Sequence, residues 1–171
     1  MISKKMEDAL NNQIREELFS AYLYLSMSAW FETLNLKGFA NWMNVQNQEE
    51  QVHAMKIFNF INERGGTVKL QKIEQPQHEW KSSLEAFEAA YKHEQHITGC
   101  INDLVHMAME EKDRATQVFL DWFVNEQVEE EASADEIVQN LKLVGDHGHG
   151  MLMLDREFGQ RVFAPPAATA E

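Results

Sequence analysis

Four long stretches of the chain place their apolar side chains at alternating three- and four-residue steps, the period of a helix that buries one stripe. The first stripe is Leu10, Ile14, Glu17, Ala21, Tyr24, Ser28 and Phe31, and the second is Met43, Gln46, Glu50, His53, Ile57 and Phe60. The third is Leu84, Phe87, Tyr91, Glu94, Thr98, Ile101, Val105 and Ala108. The fourth is Thr116, Leu120, Phe123, Gln127, Glu130, Ala134, Ile137, Leu141 and Val144.

Cap and breaker residues mark where these helices start and stop. Ser3 is placed to cap a first helix that runs to about Leu34. The turn Asn35-Leu36-Lys37-Gly38 returns a second helix antiparallel, from about Phe39 to Arg64, where Gly65-Gly66 stop it. A Pro-bearing stretch then leads to Ser82, whose pairing with Glu85 is a capping-box pattern for a third helix ending near Glu111. Asp113 caps a fourth that ends near Gly145, and a short fifth spans about Gly150 to Val162. Two short turns separated by one long crossing describe an all-α four-helix bundle with one long crossover and a short C-terminal fifth helix. The expected organisation is one domain over 1–164 and a small polar tail over 165–171.

The seams contain residues that a core should reject. Glu17, Glu50, His53, Glu94, Gln127 and Glu130 all occupy inward positions near the middle of their helices, with apolar seam residues above and below the set. Any one alone reads as an edge residue with its charge reaching water. Their spacing repeats, however: Glu17 to Glu50 is 33 residues, as is Glu94 to Gln127, and Glu50–His53 and Gln127–Glu130 are both three apart. Two helical hairpins therefore bring all six side chains to one level.

Four carboxylates together in a core repel and resist ionisation. Two divalent cations would neutralise Glu17, Glu50, Glu94 and Glu130, and carboxylate ligands with one imidazole suit Fe(II), Mn(II) or Zn(II). Glu50 and His53, one helical turn apart, share a face. Paired Glu and Glu-x-x-His residues of this kind are already known from di-iron carboxylate bundles.

Charge and composition narrow the function classes. The 171 residues carry 28 acids against 15 bases, a net charge of −13, so contact with nucleic acid or an anionic membrane is not expected. About half of that excess falls on the seam acids and their neighbours. No apolar run is long enough to span a membrane and no secretory signal follows Met1, while the lone Cys100 fits a reducing cytoplasm.

The whole chain resembles a prokaryotic non-haem ferritin. The likeness rests on Asn12-Gln13-Ile14-Arg15-Glu16-Glu17, Ala21-Tyr22-Leu23-Tyr24-Leu25, Gly38-Phe39-Ala40-Asn41-Trp42-Met43 and Glu126-Gln127-Val128-Glu129-Glu130-Glu131. It implies that Glu17, Glu50 and His53 hold one iron, and that Glu50, Glu94 and Glu130 hold a second. Gln127 would lie beside the pair, with Tyr24 as a hydrogen-bonding or redox partner. Glu49, Glu126 and Glu129, with Glu130, resemble a third-iron site. The implied activity is a ferroxidase that oxidises Fe(II) with O₂ and stores Fe(III) as a ferric oxyhydroxide mineral. The implied assembly is a hollow homo-oligomer of 24 subunits. Bacterioferritin would need a second Glu-x-x-His pair where this chain has Gln127-x-x-Glu130, and a haem-ligating Met where it has Gln51, so no haem is expected.

A peroxide-reducing di-iron bundle without mineral storage is the alternative, although a single Cys leaves no rubredoxin-like module. A DNA-protecting cage would need a basic surface. Among other features, His147 and His149 read as a polar turn before the last helix. Met107, Met109, Met151 and Met153 read as packing, and Cys100 as a small buried residue.

Overall fold

The computed structural model describes residues 1–145 and 147–164. The expected tail over 165–171 lies outside the described residues. Five helices follow in order: α1 (Lys4–Thr33), α2 (Lys37–Glu63), α3 (Ser83–Glu110), α4 (Arg114–Val144) and α5 (Gly148–Phe158). No helix is long and apolar enough to cross a membrane among the described residues.

The caps act as their sequences foretell. Ser3 accepts from the Met6 amide, Ser82 from Glu85 and Asp113 from Thr116, each supplying an acceptor to an otherwise unpaired first-turn N–H. Helices α1 and α2 form one hairpin and α3 and α4 the other. The crossover between them runs along α1 without regular structure. It is tied there by its own backbone: Asn11 donates to Thr67 O (3.0 Å) and accepts from the Lys69 amide (2.6 Å), and Ser26 donates to Gln77 O (2.7 Å).

Two apolar clusters fill the bundle. One gathers Phe31, Phe39, Trp42, Phe87, Leu141 and Phe158, and the other Leu10, Ile57, Ile61, Ile101, Leu120 and Phe123. The six polar seam residues lie in the gap between them.

The start of α2 departs from expectation, and the reason is tertiary. The left-handed residue of the turn is Asn35 (φ 58°), and Gly38 is already helical. Leu36 offers no side-chain cap; instead the Asp155 carboxylate of α5 accepts from the Gly38 and Phe39 amides at 2.7 and 3.1 Å. A Cβ on Gly38 would stand 1.6 Å from the Asp155 carbonyl oxygen, so glycine here serves the close approach of α5. Helix α5 also begins and ends earlier than the expected Gly150 to Val162, which puts His149 in its first turn instead of in a loop and leaves Arg161 beyond its end. Met107 and Met151 pack as expected, but Met109 and Met153 are exposed. Cys100 is half-buried instead of buried, with its Sγ 3.7 Å from His96 Nε2.

Candidate metal centre

Each hairpin delivers one half of the centre. From α1 and α2 come Glu17 (1% exposed), Glu50 (2%) and His53 (4%); from α3 and α4 come Glu94 (1%), Gln127 (4%) and Glu130 (9%). Burial of this many ionisable groups is costly unless something compensates them.

In the first half, the three ligand-type side chains converge. One ligand atom from each of Glu17, Glu50 and His53 lies within 4.8 Å of the others. His53 Nδ1 is 3.3 Å from Glu50 Oε2 and 3.8 Å from Glu17 Oε2. Glu17 Oε1 accepts from Gln13 Nε2 at 2.8 Å, whereas its Oε2 is buried with no hydrogen-bond partner. Orphaned buried oxygens are rare, because each forfeits its hydration. A divalent cation bound by this donor set would satisfy it, so the residues fit a metal ion. Burial, reinforced by the Glu50 charge, raises the Glu17 pKa to about 8. Glu50 is raised well above the carboxylate range by burial and by Glu94 and Glu130.

The second half is hydrogen-bonded instead. Tyr24 donates its hydroxyl to Glu94 Oε1, and Gln127 Nε2 donates to Glu94 Oε2 at 3.2 Å. Glu130 Oε2 accepts from Gln46 Nε2 at 2.8 Å. Burial and the Glu130 charge raise the Glu94 pKa to about 8. Tyr24 is held well above the ordinary phenol value, first by burial and then by Glu94.

Glu49, Glu126 and Glu129 sit to one side, around a cavity of about 240 Å³ between α2 and α4 that His53, Glu130 and Arg161 also line. Their grouping differs from the set expected from sequence. Glu126 converges with Glu130 and His53, so His53 belongs to both candidate clusters. Glu129 is exposed at the rim. Glu49 is drawn into an ion pair, its Oε2 accepting from Arg161 at 2.7 Å. Burial raises the pKa of Glu49 against the pull of Arg161, and that of Glu126 against the pull of His53.

Three supporting residues were not singled out in the sequence. Gln13 and Gln46 stand one turn before Glu17 and Glu50, and an amide there is a readable signal for a carboxylate's partner. Arg161 follows α5, where no periodicity indicates a direction. His147 and His149 belong to neither cluster that could hold a metal among the described residues.

Known proteins share this fold and much of this sequence. The profile of the ferritin-like domain matches residues 7–144. A bacterial non-heme ferritin of Bacteroides fragilis is 47% identical over 94% of this chain and 100% of its own length. One from Campylobacter jejuni is 43% identical over 91% of this chain and 93% of its own. Among solved structures, an open-pore ferritin of the hyperthermophilic archaeon Archaeoglobus fulgidus superposes with a TM-score of 0.94 at 56% identity. That match covers 95% of this chain and 99% of the archaeal one. A closed form of the same ferritin, engineered by mutagenesis, superposes with a TM-score of 0.95, covering 96% of this chain and 100% of that one.

Proposed function

The chain belongs to the ferritin family, and from that premise we propose that it stores iron, oxidising Fe(II) with O₂ at the centre between its hairpins. The observation that carries the reading is the fully buried Glu17–Glu50–His53 cluster with its unpartnered Glu17 oxygen, level with Glu94 and Glu130. Fe(II) is the substrate. Glu17, Glu50 and His53 hold one ion, and Glu50, Glu94 and Glu130 hold its neighbour, with four carboxylates balancing two divalent charges.

The chain's own groups set the course of the reaction. Carboxylates with raised pKa values release protons as Fe(II) enters, so loading and deprotonation are coupled. Glu94 must exchange its Tyr24 and Gln127 hydrogen bonds for metal, which makes the second position weaker than the first. Gln127 brings an amide in place of a further charge, favouring release of Fe(III) over its retention. Two Fe(II) together give two electrons to O₂, which takes up two protons to leave as hydrogen peroxide, and water-derived oxide or hydroxide balances the positive charge added to the metals while its protons leave. The acid-lined cavity beside Glu130, with Glu49, Glu126 and Glu129 around it, is the third metal position and the exit from the centre.

The product collects as a ferric oxyhydroxide mineral inside a hollow shell of identical chains, 24 by likeness to the family. The open-pore and closed forms of the archaeal relative support a shell. The proposed domain is 1–164, the proposed compartment is the cytoplasm, and neither haem nor nucleic acid takes part. Anaerobic Fe(II) loading followed by air tests the reading. Many irons per subunit in a mineral core are expected; stoichiometric oxidation of two irons with no mineral would overturn storage.

A further inference from the structure

The acid-lined cavity holds a cation of the protein's own. Arg161 Nη2 lies 2.7 Å from Glu49 Oε2 and also donates to Gln46 Oε1. The Nε2 of that same Gln46 donates to Glu130 Oε2 at 2.8 Å. One guanidinium thus touches a wall of the side cavity and, through a single amide, a carboxylate of the main centre.

Its position is built, not incidental. Asp155 caps α2 from α5, and Asn41 Nδ2 donates to Phe158 O (3.1 Å) and to Arg161 O (2.9 Å), fixing the segment that follows α5. The guanidinium carbon then lies 4.5 Å from the Trp42 ring centroid, a cation–π contact that holds the fork level with Glu49. With both Arg161 and Glu49 about three-quarters covered, the pair is screened less than an open surface pair.

We propose that Arg161 is the resident counter-cation of the third metal position, displaced from Glu49 when a divalent cation enters. It thereby keeps that position weak, a place of transit, and through Gln46 it registers the occupancy of that position at Glu130. Arg161 is a positioning residue. The inference rests on the reading of the centre given above. A cation arriving at Glu126 and Glu129 gains both oxygens of Glu49 only by breaking the Arg161 pair at Oε2, and at either oxygen it meets a fixed positive charge. Glu49 freed from Arg161 is a stronger ligand; Gln46 freed from Arg161 turns more easily and releases Glu130.

Calorimetric titration of the assembled protein with Zn(II), anaerobically, tests this in the native chain, Arg161→Gln and Arg161→Lys. A third binding step tightened roughly tenfold in Arg161→Gln is expected, with the first step unchanged and Arg161→Lys close to native. A third step seen only in Arg161→Gln supports the proposal equally. A third step of native strength or weaker in Arg161→Gln, or none in any of the three proteins, overturns it. Arg161→Met, which keeps the stem over Trp42 without the charge, gives the same test should Arg161→Gln not assemble. Loss of the first two steps in every protein, native included, would instead overturn the centre and this proposal together.

Discussion

The two hairpins carry the same spacing of polar residues and leave them in opposite conditions. On the α1–α2 side, Glu17, Glu50 and His53 are drawn together and one Glu17 oxygen lacks a partner. On the α3–α4 side, both oxygens of Glu94 accept hydrogen bonds, and Glu130 accepts one from Gln46. The first half leaves an oxygen open to a cation; in the second, Glu94 is hydrogen-bonded at both oxygens, while Glu130 also converges with His53 and Glu126. On the proposed reading, repetition in sequence yields one firmer metal position and one more exchangeable one.

In the proposed centre Glu50 serves both metal positions, so its loss should have the largest effect. Glu50→Ala is expected to slow Fe(II) oxidation, followed by stopped-flow absorbance, roughly 100-fold or more. The metal-free fold should be no less stable, because one poorly compensated buried acid is gone. Separate substitutions divide the halves. Glu17→Gln should weaken the first divalent-binding step by about tenfold or more, and Glu94→Gln the second step, as read by anaerobic calorimetry. Equal effects on both steps would erase the proposed difference.

The raised carboxylates give the comparison a pH signature. Glu17 and Glu94 titrate near 8 when folded, against about 4.5 in the unfolded chain, so the folded state binds more protons between these values. Their contribution to metal-free stability is therefore greatest below the unfolded value and is lost as pH rises from there towards 8. Thermal unfolding of chelator-treated protein should occur at lower temperature at pH 8 than at pH 6. Added divalent metal should reduce or reverse that slope, because deprotonated carboxylates bind it better. The smallest effect is expected for Tyr24→Phe, which removes the hydroxyl donor from buried Glu94. A loss of about 1–2 kcal/mol in denaturant unfolding should follow, with the first binding step unaltered.

Much of this site was legible because helices write their inward faces at a fixed period. Glu17, Glu50, His53, Glu94, Gln127 and Glu130 are all buried where the seam places them. What stayed hidden depends on contacts between elements. Gly38 looked like a turn residue, since a glycine that bends the chain and one that admits a neighbour read alike; only the approach of Asp155 separates them. Asp155 gave no sign of capping another helix. Glu49 fell among its acidic neighbours by position, but its ion pair comes from Arg161, 112 residues further on, a contact that no spacing announces. Gln46 lies on the seam and Gln13 one position off it, and neither shares the repeated spacing that sets Gln127 apart.

The asymmetry is tested most directly by anomalous diffraction from crystals loaded anaerobically with less than one Fe(II) per subunit. A single iron peak among Glu17, Glu50 and His53 is the predicted result. A first peak between Glu49, Glu126 and Glu129, with none at the Glu17 cluster, would contradict it.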